Sequence, residues 1–258
     1  MMKLPKRDLP SYNIELPVSK KTVEYRPYTI KEEKIIEMAQ VGDNQSEKFK
    51  AVSQIIENCT NADPEQLHPA DLQFLFLKLY STSVSSDVKV VYTIGEDACG
   101  LQGDESKGPC QRTIETSFNI DKDVTVINLE SLDKNSTVSK GGGRLVELVD
   151  GIKLQLNFVA VDIDETDANA FNSILYKLVE SVIVPSEETP GEFDVMTKDD
   201  FTFDEFCDFM NSFRPSDLKN LRDFLTDTPT CSVEIKAKCL KCKKVFKSEE
   251  SGLLGFFL

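Results

Sequence analysis

Histidine is nearly missing from this 258-residue chain, which carries only His68. One imidazole cannot build an HExxH zinc site or a multi-histidine metal centre, and no nucleophile motif points to a catalytic triad. Positive charge is scarce as well. Thirty Lys plus Arg face 44 Asp plus Glu, for a formal net charge of −14. Nucleic-acid binding rests on clustered Lys and Arg that neutralise phosphates, so such a surface disfavours nucleic acid as the main ligand. The local exception is Lys238 to Lys247, with five lysines, read first as a solvated knuckle. No uninterrupted apolar run approaches the roughly 18 residues of a membrane span. The opening MMKLPKRDLPSYN has basic residues but no apolar h-region, so the expectation is a protein that stays in the cell where it is made. The seven cysteines form no repeating framework, as expected of thiols or metal ligands in a reducing cytoplasm. Internal repeats are absent, and GGGR at Gly141 to Arg144 lacks the Lys-Ser or Lys-Thr of a phosphate loop.

What is present reads as an ordinary globular chain, 40% hydrophobic and 29% charged, of one or two domains. Period-two alternation predicts a β-hairpin from Tyr12–Val18 and Thr22–Tyr28. Thr29 reads as an N-cap, with Glu32 and Glu33 in the first turn of a short helix. A second helix is expected over Gln45–Asn58, with Phe49, Val52, Ile55 and Ile56 on one face. A third, Pro69 to Tyr80, is apolar almost all round and so central. β-Branched runs from Val88, Arg112 and Val124 predict a β-rich middle. A hairpin should turn at Asp150-Gly151. The spacing of Phe171, Ile174, Leu175, Leu178 and Val182 predicts a helix over Ala168–Ser181, followed by a loop over Pro185–Asp200. Two helices lined by Phe203, Phe206, Met210, Phe213 and by Leu218, Leu221, Phe224, Leu225 come next, then a last strand over Cys231–Lys238. The fold class is α+β, with segments 1–84, 85–162 and 163–258 that could close into one compact domain.

The strongest chemical signal is Cys239-Leu240-Lys241-Cys242, a CxxC after a strand, where a tight turn can aim two thiolates at one tetrahedral zinc. The other pair could be Cys99 and Cys110, with Cys231 in reserve, and unligated thiols remain the plain alternative. A redox CxxC normally opens a helix, so redox use is a poor fit here. Cys59 and Cys207 read as small core residues. His68 precedes Pro69 and reads as a helix-start residue. The acidic Val161–Asp167 lacks the spacing of a calcium loop. The carboxylates of Asp199–Phe206 look like the solvated side of a Phe-lined helix, and no pair stands out as general acid and base.

Leu9–Ala39, LPSYNIELPVSKKTVEYRPYTIKEEKIIEMA, together with the C-terminal CxxC, a strand-like stretch and GLLGFF, resembles the baseplate hub and hub-assembly proteins of T-even-like contractile-tailed bacteriophages. The resemblance covers about a fifth of the chain and carries over no catalytic site. It implies a non-enzymatic protein of the infected bacterium's cytoplasm, and of the finished tail if retained there. Its expected partners are other hub proteins and the tape-measure protein, with no membrane. The Phe-lined helices and Leu253–Leu258 would be contact surfaces, or alternatively core. A zinc-ribbon adaptor on nucleic acid or a polymerase, motivated by the lysine-rich CxxC, is the competing reading.

Overall fold

The computed structural model describes residues 8–41, 45–93, 113–129, 144–157, 169–186, 189 and 191–252. The expected hairpin is present. Strands β1 (Tyr12–Glu15) and β2 (Thr22–Tyr25) pair antiparallel, and Leu16, Val23 and Tyr25 bury their side chains as the alternation requires. β1 stops at Glu15, short of the expected Val18, because Leu16–Lys21 form the turn, and β2 ends at Tyr25 rather than Tyr28. The Leu16 amide donates to the Lys21 carbonyl at 2.9 Å, the Lys20 amide donates to the Leu16 carbonyl at 3.1 Å, and Lys20 takes a φ of 57°. The Val18 and Ser19 amides of this turn donate to the two carboxylate oxygens of Asp71, at 2.8 and 2.9 Å. Asp71 itself is fully buried.

Helices α1 (Ile30–Val41), α2 (Gln45–Cys59) and α3 (Pro69–Ser83) follow. The Thr29 amide and hydroxyl both donate to the Glu32 carboxylate, which also receives Arg26 at 3.3 Å. Burial opposes charge at Glu32, but the Thr29 and Arg26 hydrogen bonds and the Arg26 charge hold its carboxyl below the ordinary range. Arg26 also donates to the Asn58 carbonyl, so one guanidinium fastens the hairpin to both flanking helices. Leu16, Val52, Ile55, Ile56, Leu72, Leu75 and Leu79 form the first core, each worth about 2 kcal/mol of apolar burial. Opposite it, α3 turns Leu77 toward a second core, and Phe74 and Tyr80 pack against both. The expected central helix is therefore central in the physical sense.

That second core lies under two β units. In one, β3 (Asp87–Thr93) and β4 (Thr113–Asn119) pair antiparallel along their whole lengths. A helical turn, α4 (Ile120–Asp123), leads into β5 (Thr125–Ile127). In the other, the late strand β10 (Thr230–Lys238) lies between β11 (Val245–Ser251) and β5. Ile127 is the direct partner of Thr230, so the chain leaves this frame after 127 and returns at 230, at neighbouring points. The Gln73 side-chain oxygen fastens the return to α3, accepting from the Thr230 hydroxyl and the Cys231 amide, both at 2.9 Å.

The intervening residues build a core of their own. Strands β6 (Arg144–Glu147) and β7 (Lys153–Leu156) meet through the expected Asp150-Gly151 turn, where φ values of 56° and 78° give the left-handed pair of a type I′ hairpin. Helix α5 (Ala170–Leu178) then runs into β8 (Val179–Pro185), which pairs with both β7 and β9 (Phe193–Thr197). Helices α6 (Phe203–Asn211) and α7 (Lys219–Thr226) complete the unit. Two expectations are corrected here. The helix stops at Leu178, not Ser181, because Val179–Pro185 is rich in β-branched residues and pairs as a strand, with Val179, Val182 and Val184 entering the same core. Pro185–Asp200 is not all loop, since β9 supplies the sheet's edge. Phe206, Met210, Leu218 and Leu221 are buried in this core, so the inward faces of the Phe-lined helices are packing surfaces rather than contact surfaces. The α+β class holds throughout.

Asp71 generates the first prediction. Asp71→Ala leaves the Val18 and Ser19 amides without their acceptor and should lower stability by about 3 kcal/mol, read as a shift in the urea midpoint at unchanged slope. Asp71→Asn keeps one acceptor oxygen and should lose less.

Candidate functional site

The sequence TCSVEIKAK makes β10 two-faced. Cys231, Val233, Ile235 and Ala237 point inward and are buried, while Glu234, Lys236 and Lys238 point out. Glu234 accepts from Lys236 at 2.7 Å and Lys247 at 2.6 Å, and these hydrogen bonds hold its carboxyl below the usual range. At the tip, the Cys239 amide donates to the Lys244 carbonyl at 2.9 Å, the Lys243 amide donates to the Cys239 carbonyl at 2.9 Å, and Lys243 takes a φ of 64°. This is the turn of Leu16–Lys21 again, with Cys239 in the place of Leu16 and Cys242 in the place of Ser19.

Cys239 is fully buried beside Ile114 and Ala237, with Tyr92, Cys242 and Phe246 partly buried around them. The Tyr92 and Phe246 ring centroids lie 6.1 Å apart, and the Lys244 ammonium sits 5.4 Å from the Phe246 centroid. Neither Cys239 nor Cys242 forms a disulfide. Cys99 and Cys110, the other expected ligands, lie outside the described residues. The flanking residues are described, however: Thr93 and Thr113 are the last partners of β3 and β4, and Tyr92 and Ile114 next to them belong to the cysteine cluster. Among the described residues no group of three or more His, Cys, Asp or Glu gathers as a metal site.

The reserve ligand is in the wrong place. Cys231 precedes Cys239 by eight residues of one strand, about 26 Å, and its thiol sits 3.7 Å from the Ala70 carbonyl. Burial, and then the Asp71 charge, pushes it up to about 12, so it remains protonated at neutral pH. Cys59 and Cys207 are buried core residues, as expected. Acidic clusters prove to be structural where described. Asp200 accepts from the Thr197 amide and hydroxyl, and Glu205 closes a capping box with Thr202 at the start of α6. Val161–Asp167 and Leu253–Leu258 lie outside the described residues.

Beside the knuckle, a groove of about 590 Å³ runs between β4 and β10, lined by Thr113, Ile114, Thr116, Lys236, Lys238 and Leu240 among others. The Thr116 hydroxyl bridges it to the Lys236 carbonyl at 2.8 Å. Leu240 stands 67% exposed in its lining, and Val245, the partner of Lys238 across the hairpin, is 50% exposed. Periodicity alone could not reveal this surface, because β4 and β10 are far apart in the chain.

Residues 9–258, from the N-terminal hairpin through the knuckle, match the family described as T4 bacteriophage base plate protein. The chain belongs to that family. No curated protein and no solved structure matches it. A base plate protein works among other phage structural proteins, and no helix among the described residues is long and apolar enough to cross a membrane.

His68 caps α3 as its position before Pro69 suggests: its Nδ1 accepts from the Ala70 amide at 3.1 Å. Desolvation, with the Arg144 charge, depresses it to about 4. The folded protein therefore binds fewer protons than the unfolded chain below pH 6.5. Its contribution is complete above that value and is lost as pH falls toward 4. His68→Asn keeps a capping oxygen without the titration. Denaturation of both proteins at pH 7 and pH 5 should show the variant losing less stability on acidification.

Proposed function

We propose that this base plate protein acts at the hub, as a subunit or an assembly chaperone, by binding other hub proteins and the tape-measure protein in the infected cell's cytoplasm. The family match over residues 9–258 supports a role in the base plate, and the step to the hub rests on the resemblance of Leu9–Ala39 to hub proteins. The segment that resembles hub proteins, Leu9–Ala39, is also the segment that Asp71 and Arg26 fasten to the central helices. Exposed Leu240 and Val245 on the lysine-rich hairpin, and Phe193 and Val195 on the edge strand β9, are the apolar side chains a protein partner would cover.

The reading is one of binding without catalysis. Among the described residues the strongly shifted groups have packing or capping roles: Tyr28, Cys59 and Cys231 are pushed up chiefly by burial, and His68 is pushed down as it caps a helix. The competing nucleic-acid adaptor draws on the same lysines. It is opposed by the −14 charge of the chain and by the apolar Leu240 and Val245 among those lysines.

Affinity capture of the tagged chain from infected cells should bring down other hub proteins and hold them at high salt. Salt-sensitive retention on DNA, with no phage protein retained, would overturn the reading in favour of the adaptor. Quantitative proteomics of purified virions then separates the two hub roles: stoichiometric presence marks a subunit, and absence an assembly factor.

A further inference from the structure

We propose that two copies of the chain associate edge to edge through β11, as antiparallel strands related by a twofold axis. The inference does not rest on the hub reading, because it assigns an interface to this chain whichever base plate proteins it also meets.

The first observation is an open edge. β11 is the outermost strand of the β5–β10–β11 sheet, and among the described residues no strand pairs with its other side. It pairs with β10 along its whole length without a register shift and contains no proline. Hydrogen-bond alternation decides where its peptide groups point. The Cys239 amide donates to the Lys244 carbonyl, so the pairs Ala237–Phe246, Ile235–Ser248 and Val233–Glu250 follow in the same hydrogen-bonded phase. The Lys236 carbonyl agrees with that phase, since it accepts from Thr116 of β4 instead of from β11. The amides and carbonyls of Val245, Lys247, Glu249 and Ser251 therefore point off the sheet. On the edge strand β9, by contrast, Asp200 takes both the Thr197 amide and the Thr197 carbonyl. No such cap stands on β11 among the described residues, and an uncapped edge is a template for a further strand.

The second observation is charge. Lys247 lies opposite Lys236 and Glu249 lies opposite Glu234, so like charges meet across the β10–β11 pair. Lys236 and Lys247 both turn to Glu234, at 2.7 and 2.6 Å. Glu249 receives the Ser232 hydroxyl at 2.7 Å and, among the described residues, no ammonium. Self-pairing supplies what is missing. With Ser248 of one copy opposite Ser248 of the other, Lys247 of each copy lies opposite Glu249 of the other, and Val245 opposite Ser251. These four residues carry the outward peptide groups, so the two edges exchange about eight hydrogen bonds. The next registers that keep those groups matched are slid by two residues, and they set Lys247 against Lys247 or Glu249 against Glu249. One register thus satisfies backbone and charge together.

The product is a single sheet in the order β5–β10–β11–β11–β10–β5, continuous across the twofold axis. Such an interface is isologous: each copy spends the same edge on the other, so association through β11 closes at two and does not propagate.

The test is sedimentation velocity of the full chain over a wide range of concentration. The mass should rise from 29.0 kDa to twice that value. Lys247→Glu and Glu249→Lys each turn both opposite-charge contacts into like-charge ones and should each weaken the dimer by about tenfold or more. Mixed together, the two variants should associate again, because an edge with two glutamates complements an edge with two lysines in this register. Residue-resolved hydrogen exchange of the unaltered chain decides the matter even if a variant misfolds. Dimerisation should slow the amides of Val245, Lys247, Glu249 and Ser251, while those of Phe246, Ser248 and Glu250 are slow throughout. A mass of 29.0 kDa at every concentration would overturn the proposal, as would a dimer in which those four amides exchange unchanged. Folded variants that fail to associate when mixed would overturn the register. Protection of the four amides only after another base plate protein is added would overturn the second copy in favour of a foreign strand.

Discussion

Two hydrogen bonds to one buried carboxylate hold the first half of the molecule in register. Asp71 lies in the first turn of α3, where the helix dipole favours an anion, and its oxygens receive the Val18 and Ser19 amides. Those amides belong to a turn whose strands could not persist alone, since an isolated two-stranded hairpin is marginal in water. Anchoring the turn to α3 lets Leu16, Val23 and Tyr25 complete the core that α2 and α3 share. With that face satisfied, α3 can offer Leu77 and Gln73 to the strands on its other side. One helix thus couples the opening of the chain to its closing strands.

The same coupling explains how a large excursion fits between β5 and β10. Ile127 and Thr230 face each other, so the intervening residues need only leave and return at adjacent points. Loop-closure cost rises slowly with length, and lengthening a loop from ten residues to a hundred adds only about 2 kcal/mol. A unit with its own core, built on Leu154, Leu156, Leu175 and Leu221, can offset such a term by its own burial. Gln73 then secures the return, taking the Thr230 hydroxyl and the Cys231 amide on one oxygen.

Much of this was readable from local pattern. Alternation in Ile14–Tyr25, the near-continuous apolar face of Leu72–Leu79 and the Asp150-Gly151 dipeptide each correspond to the element they predict. Errors arose where two periods fit the same residues. Phe171, Ile174, Leu175, Leu178 and Val182 follow helical spacing, yet Val179 and Val182 enter the core from a strand, and only pairing with β7 and β9 decides between the two. Strand β9 was hidden because it is an edge, with charged and exposed residues in Phe193–Thr197. Pairings such as Ile127 with Thr230 leave no local trace. At the candidate site, CxxC was plain in the sequence, but the proximity of Tyr92 and Ile114 to it was not.

The recurrence of one turn in two hairpins was equally invisible, since LPVSKK and CLKCKK share little beyond their closing lysines. Lys20 and Lys243 each take a left-handed conformation that costs an L-residue roughly 1–2 kcal/mol. Such a cost is tolerated where surrounding contacts over-determine the backbone. For Lys20 those contacts are evident, because the turn is clamped to the buried Asp71. The knuckle has its tip packing against Tyr92, Ile114 and Phe246, with a fringe of lysines outside. Equal backbone strain at the two tips argues for comparable restraint at both, and at the second tip it comes from buried Cys239, packed against Ile114 and Ala237 and tied by its amide and carbonyl to Lys244 and Lys243.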